Sequence, residues 1–137
     1  MRIATGLLLS ALVSGCASVP GSEPLPFLPL LAPRMDEIAL TAAVTGRLVV
    51  ERGCVKLAHG ERTTTVIWER GTELARDASG LFLRETHSGR VVRFGVETQF
   101  GGGQQSESYT AQAYPEVARR CGPPYASGWI PAADRER

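Results

Sequence analysis

The side chains best suited to metal or redox chemistry are three cysteines and two histidines in a chain of 137 residues. Cys54, Cys121, His59 and His87 offer the thiolate and imidazole ligands that zinc and copper accept. No Cys-x-x-Cys or His-x-x-x-His spacing places two of them on one element, and both histidines fall in polar segments typical of turns. A metal site from these four residues stays open as an alternative, but no metal and no cofactor is expected.

Hydrolysis would need a nucleophile, a base and an orienting group within hydrogen-bond reach of one another. The residues around Ser127 read Ala-Ser-Gly, which is not the Gly-x-Ser-x-Gly frame of many hydrolases. Glu69 and Glu73 flank a turn beside an arginine, a pattern typical of a solvated face more than of the paired carboxylates of glycosidases. A small hydrolase that uses Glu69 or His87 is therefore kept only as an alternative, and no catalytic residue is assigned.

A glycine triplet and several aromatic residues are further candidates for binding. Gly101 to Gly103 lack the lysine and the following helix of a phosphate-binding loop, so we interpret the triplet as the exit of a strand. Trp68, Phe94 and Trp129 form a candidate ligand face. The alternative is that these aromatic side chains fill the core of a small domain, which needs large apolar residues.

The remaining cysteine, Cys16, follows an N-terminal segment typical of export. Met1-Arg2 is positively charged, and residues 3–13 are apolar but too few to span a bilayer as a helix. The order Leu12-Val13-Ser14-Gly15-Cys16 resembles the signal of bacterial lipoproteins. The resemblance implies that residues 1–15 are removed and that Cys16 is acylated, which makes membrane lipid a partner. The alternative is an ordinary signal peptide with a chance cysteine.

The residue after Cys16 bears on where such a lipoprotein would reside. In lipoproteins, an aspartate at that position favours retention in the inner membrane, whereas this chain has Ala17. The resemblance therefore implies the outer membrane, facing the periplasm, if the host is Gram-negative.

Export also places Cys54 and Cys121 in an oxidising compartment, where two cysteines commonly form a disulfide. Such a bond would stabilise the domain by roughly 2–4 kcal/mol.

Charge and composition limit the classes of partner and the size of the fold. Fifteen basic and fourteen acidic residues give a net charge of +1, which disfavours a nucleic-acid binder with a strongly basic face. A hydrophobic content of 43% disfavours full disorder, and the length allows one modest domain.

Residues 16–33 form a proline-rich tether in this interpretation. Five of the nine prolines lie there, and proline favours extended chain. The segment also contains Phe27 and four leucines, so it is more apolar than an ordinary linker. It is either a strap that lies on the domain or on the membrane surface, or a docking site for an envelope protein partner.

Residues 34–131 are predicted to form a single β domain, followed by a charged tail at 132–137. Strands are expected at Gly46–Glu51, Cys54–Ala58, Thr63–Glu69, Gly80–Glu85, Arg90–Phe94, Val96–Phe100 and Trp129–Ile130. Ile38–Thr45 fits a strand or a short helix, and Thr72–Ser79 is ambiguous. Residues 104–108 are expected to be polar and mobile, and Pro115–Arg120 to form one helical turn.

This pattern predicts a mainly β fold: a small antiparallel barrel or sandwich, with an OB-like barrel preferred and a short helical turn near the C-terminus. The run from Gly46 to Leu57, followed by Trp68, the glycine triplet and Cys121, resembles small exported bacterial β domains of unassigned function. The chain has Glu69 where those domains commonly have a proline. That resemblance spans residues 46–125; it implies an extracytoplasmic β domain with paired cysteines and no particular activity.

Taken together, the sequence predicts a lipid-anchored cell-envelope protein with a non-catalytic binding or structural β domain and no nucleic-acid partner. The alternatives are a small periplasmic hydrolase and a metal-handling lipoprotein.

Overall fold

The structure is a computed structural model that describes residues 23–32 and 42–132. Within these ranges the elements are β1 (Ala42–Glu51), β2 (Cys54–His59), β3 (Arg62–Trp68), β4 (Thr72–Asp77), β5 (Gly80–Glu85), β6 (Val91–Arg93), β7 (Glu97–Gln105), α1 (Glu107–Ala113), α2 (Pro115–Cys121) and β8 (Tyr125–Trp129). The predicted signal peptide, Cys16, residues 38–41 and the tail from residue 133 lie outside the described residues.

Five strands close into a barrel in the order β1-β2-β3-β8-β7, and β7 returns to pair with β1. Neighbouring strands are antiparallel except β3 and β8, which run parallel with Trp68 opposite Gly128. Among the barrel strands alone, the order is first, second, third, fifth, fourth, which is the order of an OB-like barrel. The prediction of a mainly β fold with a small OB-like barrel is therefore confirmed, although one of its strand pairs is parallel.

Alternation along β3 explains how one strand serves two cores. Val66 and Trp68 pack inside the barrel, whereas Ile67 between them belongs to a second apolar cluster on the outer surface. This follows from the period of two along a strand, with successive side chains on opposite faces. Dense β-branched and aromatic residues suit a strand that is buried on both faces.

The second sheet, with the order β4-β5-β6, is inserted between β3 and β7. Its buried residues Leu83 and Val92 pack in one cluster with Leu48 and Val55 of the barrel, and with Ile130 beyond β8. The sheet therefore covers one end of the barrel. We call this end, defined by these five residues, the closed end.

The helices lie on the flank of the barrel. Ser106 caps α1 by accepting a hydrogen bond from the backbone N–H of Tyr109, and Pro115 begins α2. Val117 of α2 packs in the outer cluster with Ile67. A disulfide joins Cys54 to Cys121, with 5.7 Å between their Cα atoms, so the end of α2 is covalently fixed to the start of β2.

Residues 24–32, which are part of the segment interpreted as a tether, lie along the barrel, and we call them the strap. The backbone of Phe27 donates to Gly53 O at 2.8 Å and accepts from Val55 N at 2.9 Å. Leu31 N donates to Trp68 O at 2.8 Å, and Trp68 N donates to Pro29 O at 2.9 Å. The strap is thus hydrogen-bonded to the strands that it covers.

Four segments differ from the sequence prediction. The last strand was expected at Trp129–Ile130, whereas β8 spans Tyr125–Trp129 and Ile130 lies beyond it. Gly101 to Gly103 do not end a strand, because β1 pairs with Gly101 and Gly102 and β8 pairs with all three glycines, so β7 continues to Gln105. Residues 104–108 form the end of β7, the cap and the start of α1 instead of an irregular segment. Pro115–Arg120 lies in α2, which runs to Cys121 and is preceded by a helix that the sequence did not predict.

Candidate functional site

The end of the barrel opposite the closed end contains a cavity of about 520 Å³, and we call it the open end. All five barrel strands contribute to it, and Ala42, Val44 and His59 are exposed at its mouth. The lining residues are Ala42, Val44, Leu57, His59, Thr64, Val66, Trp68, Phe100, Gly101, Gly102, Gly103, Gln104, Ala126, Ser127 and Gly128.

The part of the wall formed by β7 and β8 contains small residues at which neighbouring atoms approach closely. Gly102 of β7 lies opposite Gly128 of β8. A Cβ atom built on Gly128 would lie 2.5 Å from Val66 Cγ1, and one on Gly102 would overlap the carbonyl oxygen of Ser127. Ala126 continues the wall with a single methyl group. A barrel of similar size with larger residues at these positions would fill its interior.

Two aromatic side chains belong to the lining. Trp68 and Phe100 are fully buried and meet edge to face, with ring centroids 5.4 Å apart and planes at 69°. The indole Nε1 of Trp68 is buried and has no hydrogen-bond partner among the described residues. Buried polar groups normally have a partner, and each exception requires an explanation.

The mouth of the cavity is more polar than its interior. His59 Nδ1 lies 2.6 Å from the carbonyl oxygen of Thr45, and since that oxygen only accepts, Nδ1 carries the proton. In neutral His59 the Nε2 atom is then the acceptor. Thr64 and Gln104 add a hydroxyl and an amide to the same lining. The site is thus an apolar cavity with a few polar groups, the usual composition of a small-molecule site.

Of the three residues of the candidate ligand face, only Trp68 lines the cavity. Phe94 is partly buried against the main core of the barrel. Trp129 lies on the outer side of β8, where its indole occupies the space that a Cβ on Gly101 would take. The structure does not bring these three side chains together in one site.

The four candidate metal ligands are separated in a similar way. Cys54 and Cys121 are joined to each other. His59 lies at the mouth of the cavity, whereas His87 lies in the β5–β6 turn with Nδ1 2.9 Å from a carboxylate oxygen of Glu85. Within residues 23–32 and 42–132, no group of three or more His, Cys, Asp or Glu side chains is arranged to hold a metal ion.

The candidate hydrolase residues lie outside the cavity lining, apart from Ser127. Glu69 follows β3 and is exposed, and Glu73 is paired with Arg84 at 2.6 Å. Hydrogen bonds from the Ser88 side chain and from the backbone N–H groups of His87 and Ser88 lower the pKa of Glu85 to about 2. A carboxylate held ionised in this way, at the end of β5, fixes the turn that follows and is poorly suited to serve as a general acid near neutral pH.

From the sequence we considered Trp68, Phe100, His59, Ser127 and the glycine triplet, but we did not single out the other residues that form the cavity. Small residues such as Ala42 and Ala126 carry no chemical signal of their own. The available signal was the alternation of Phe100, Gly102 and Gln104, which continues the period of β7 through the triplet.

The chain matches no family model, no curated protein and no solved structure. In the part of the chain that the structure describes, none of the helices has the length and apolar character needed to cross a bilayer.

Proposed function

We propose that this protein is a lipid-anchored envelope protein whose barrel binds a small apolar molecule at its open end, without catalysing a reaction. The observation that carries the binding proposal is the cavity of about 520 Å³. Small-molecule sites commonly have volumes of about 300–1,000 Å³ and are lined mainly by apolar side chains with a few polar groups.

The strap would limit the distance between the barrel and the membrane. If Cys16 carries the lipid, only residues 17–22 separate it from Glu23, the residue just before the strap. Seven residue steps of extended chain span at most about 25 Å. Since the strap is hydrogen-bonded along β2 and β3, the barrel would be held within that reach of the lipid surface.

The anchor is tested by intact mass of the protein from the membrane fraction, with thiol alkylation before and after reduction. We expect residues 1–15 to be absent, acyl mass to be present, and Cys54 and Cys121 to react only after reduction. Cys16→Ser should remove the acyl mass and release the protein from membranes. An unacylated wild-type chain would contradict the anchor and leave the binding proposal to its own test.

The binding proposal is tested with N-phenyl-1-naphthylamine, an uncharged apolar probe whose fluorescence rises on burial. The protein is the mature chain with Cys16→Ser, which removes only the attachment atom. Ala42 and Ala43 provide a matched pair, because both are exposed in β1 but only Ala42 lines the cavity. We expect Ala42→Phe to weaken probe binding at least tenfold and Ala43→Phe to leave it within twofold. Equal effects, or no binding by the parent chain, would contradict the proposal.

A further inference from the structure

The strap is attached to the closed end of the barrel and not to its mouth. β1 begins with Ala42 at the mouth and β2 ends with His59 there, so the turn that joins these two strands lies at the opposite end. Gly53 of that turn accepts a hydrogen bond from Phe27 N at 2.8 Å. The strap then pairs with Trp68 at the end of β3, which also lies towards the closed end.

The residue just before the strap lies beside the inserted sheet, which covers the same end. Arg76 of β4 donates a hydrogen bond to the backbone carbonyl oxygen of Glu23 at 2.9 Å. Residues 17–22, which we call the linker, connect Glu23 to Cys16. A lipid on Cys16 would therefore be joined to the domain at its closed end.

The linker is short compared with the barrel. β1 has 10 residues and runs from the mouth to the closed end, which is about 30 Å of strand. Strand tilt in a barrel reduces this to about 20–25 Å along the barrel axis. A flexible chain of the linker's length has ends only about 15 Å apart on average. The mouth could therefore contact the membrane only with the linker stretched back along the barrel, which costs chain entropy.

The outer face of the inserted sheet can approach lipid headgroups without an unpaired acid. Glu73 pairs with Arg84 at 2.6 Å, and Asp77 pairs with Arg93 at 2.6 Å, so these four side chains add no net charge. Val91 on this sheet is 44% exposed. Neither of the two carboxylates would then carry an unbalanced negative charge towards an anionic membrane surface.

We propose that the linker orients the domain with its closed end towards the membrane and its open end towards the aqueous phase, so that the cavity takes its ligand from the aqueous side. This inference rests on the proposed function, because the lipid on Cys16 and the cavity both belong to it. The mouth is then accessible to a soluble protein that delivers or collects the ligand, and it does not exchange ligand directly with the bilayer.

Two exposed positions report the two ends. Val91 lies on the inserted sheet, and Glu61 lies in the β2–β3 turn at the mouth. A fluorophore is attached to the new thiol of Val91→Cys or Glu61→Cys in the acylated protein, where the natural cysteines are acylated or disulfide-bonded. The protein is added to phosphatidylcholine vesicles that contain a lipid with a nitroxide headgroup, which quenches fluorescence at short range. We expect the quenched fraction to be at least twofold larger for Val91→Cys than for Glu61→Cys.

A longer linker tests whether its length orients the domain. A flexible Gly-Ser segment of about 20 residues is inserted between Ala17 and Ser18, which lets either end of the barrel reach the lipid. We expect the difference in quenching between the two labelled positions to fall by at least half. If the difference is unchanged, the linker does not orient the domain and the inference is overturned.

Access to the mouth from the aqueous side is measured with biotin in place of the fluorophore. Streptavidin, a bulky soluble protein, is added to the vesicle-bound protein and to the same variants with Cys16→Ser in solution. We expect the association rate for Glu61→Cys to be within twofold in the two states. For Val91→Cys we expect it to be at least fivefold slower on vesicles. Slower association for Glu61→Cys than for Val91→Cys on vesicles would overturn the inference.

The outcomes distinguish failure of this inference from failure of the proposed function. If the acylated protein stays on the vesicles but Glu61→Cys is quenched as much as Val91→Cys or more, the orientation is overturned, and the anchor and the cavity stand. If both labelled variants are quenched no more than their Cys16→Ser counterparts, the lipid does not anchor the protein. The proposed anchor and this inference then fail together, and ligand binding is decided by the naphthylamine measurement.

Discussion

The two ends of the barrel are built from the same five strands but are closed to different extents. At the closed end, Leu48 and Val55 pack against Leu83 and Val92 of the inserted sheet. At the open end, the corresponding space is lined by residues such as Gly102, Gly128 and Ala126 and remains a cavity. No inserted sheet covers the open end within the described residues.

This difference indicates that the cavity results from residue size along the strands rather than from the barrel topology. β3 contributes Trp68 towards the closed end and Thr64 towards the mouth. β7 likewise changes from Phe100 to glycine within two residues. Stability should therefore depend mainly on the closed end and ligand binding mainly on the open end, and the following substitutions test that division.

Truncation at the closed end should have the largest effect on stability. Leu83 is fully buried between the inserted sheet and the barrel. We expect Leu83→Ala to lower the free energy of unfolding by about 2–5 kcal/mol, through lost burial and the cavity left behind. Val91→Ala, in the exposed part of β6, should change it by less than about 0.5 kcal/mol. Denaturant unfolding measures both, and equal losses would contradict a packed closed end.

Removal of the disulfide should lower stability without changing the cavity. The Cys54–Cys121 bond lies on the flank of the barrel and spans 67 residues of sequence. We expect the combined Cys54→Ser and Cys121→Ser variant to lose about 2–4 kcal/mol of unfolding free energy. The folded fraction should bind the naphthylamine probe with unchanged affinity. A large loss of affinity in fully folded protein would show that the flank and the open end are coupled.

A methyl group added to the wall of the open end should have a smaller effect. Because a Cβ on Gly128 would lie 2.5 Å from Val66 Cγ1, we expect Gly128→Ala to cost about 1–3 kcal/mol. Adding Val66→Ala should recover part of this loss, so the double variant should be more stable than the sum of the single effects by at least about 0.5 kcal/mol. Strict additivity would mean that the two residues do not meet across the barrel wall.

Local patterns in the sequence were sufficient to predict most of the closed end. Thr63–Glu69 and Gly80–Glu85 are short segments whose β-branched, aromatic and aliphatic residues favour strands whatever their neighbours are.

The disulfide on the flank was predicted from the expected oxidising compartment. Since Cys16 was assigned to the lipid, Cys54 and Cys121 were left to pair with each other, and the structure contains this bond.

The open end could not be predicted in the same way because it depends on pairing between distant segments. Glycine has low strand propensity, and three in succession indicate a strand exit when read locally. Pairing with β1 on one side and β8 on the other holds Gly101 to Gly103 in β7 despite that propensity. The same pairing brings Gly102 opposite Gly128 in the lining of the cavity, which no local pattern shows.

Acid should loosen the inserted sheet by a small, local effect. The pKa of Glu85 is about 2 in the folded protein and about 4.5 without its hydrogen bonds, so its carboxylate stabilises the β5–β6 turn above pH 4.5. This contribution is lost as the pH falls towards 2. We expect hydrogen-exchange protection of β5 and β6 amides to fall over that interval in wild type. Glu85→Gln should show lower protection at pH 6 and a weaker pH dependence; identical profiles would contradict this role.

Two truncations within β1 compare the two ends most directly and include the smallest expected effect. Val44 lines the mouth and is 38% exposed, whereas Leu48, four residues along the same strand, is fully buried at the closed end. We expect Val44→Ala to change the unfolding free energy by less than about 0.5 kcal/mol, and Leu48→Ala to lower it by about 2–5 kcal/mol. Side chains already next to empty space lose few contacts on truncation, so a small Val44 effect is what an open cavity requires. A Val44→Ala loss above about 2 kcal/mol would mean that the mouth is packed as tightly as the closed end, and the space assigned to a ligand would then be filled by the protein itself.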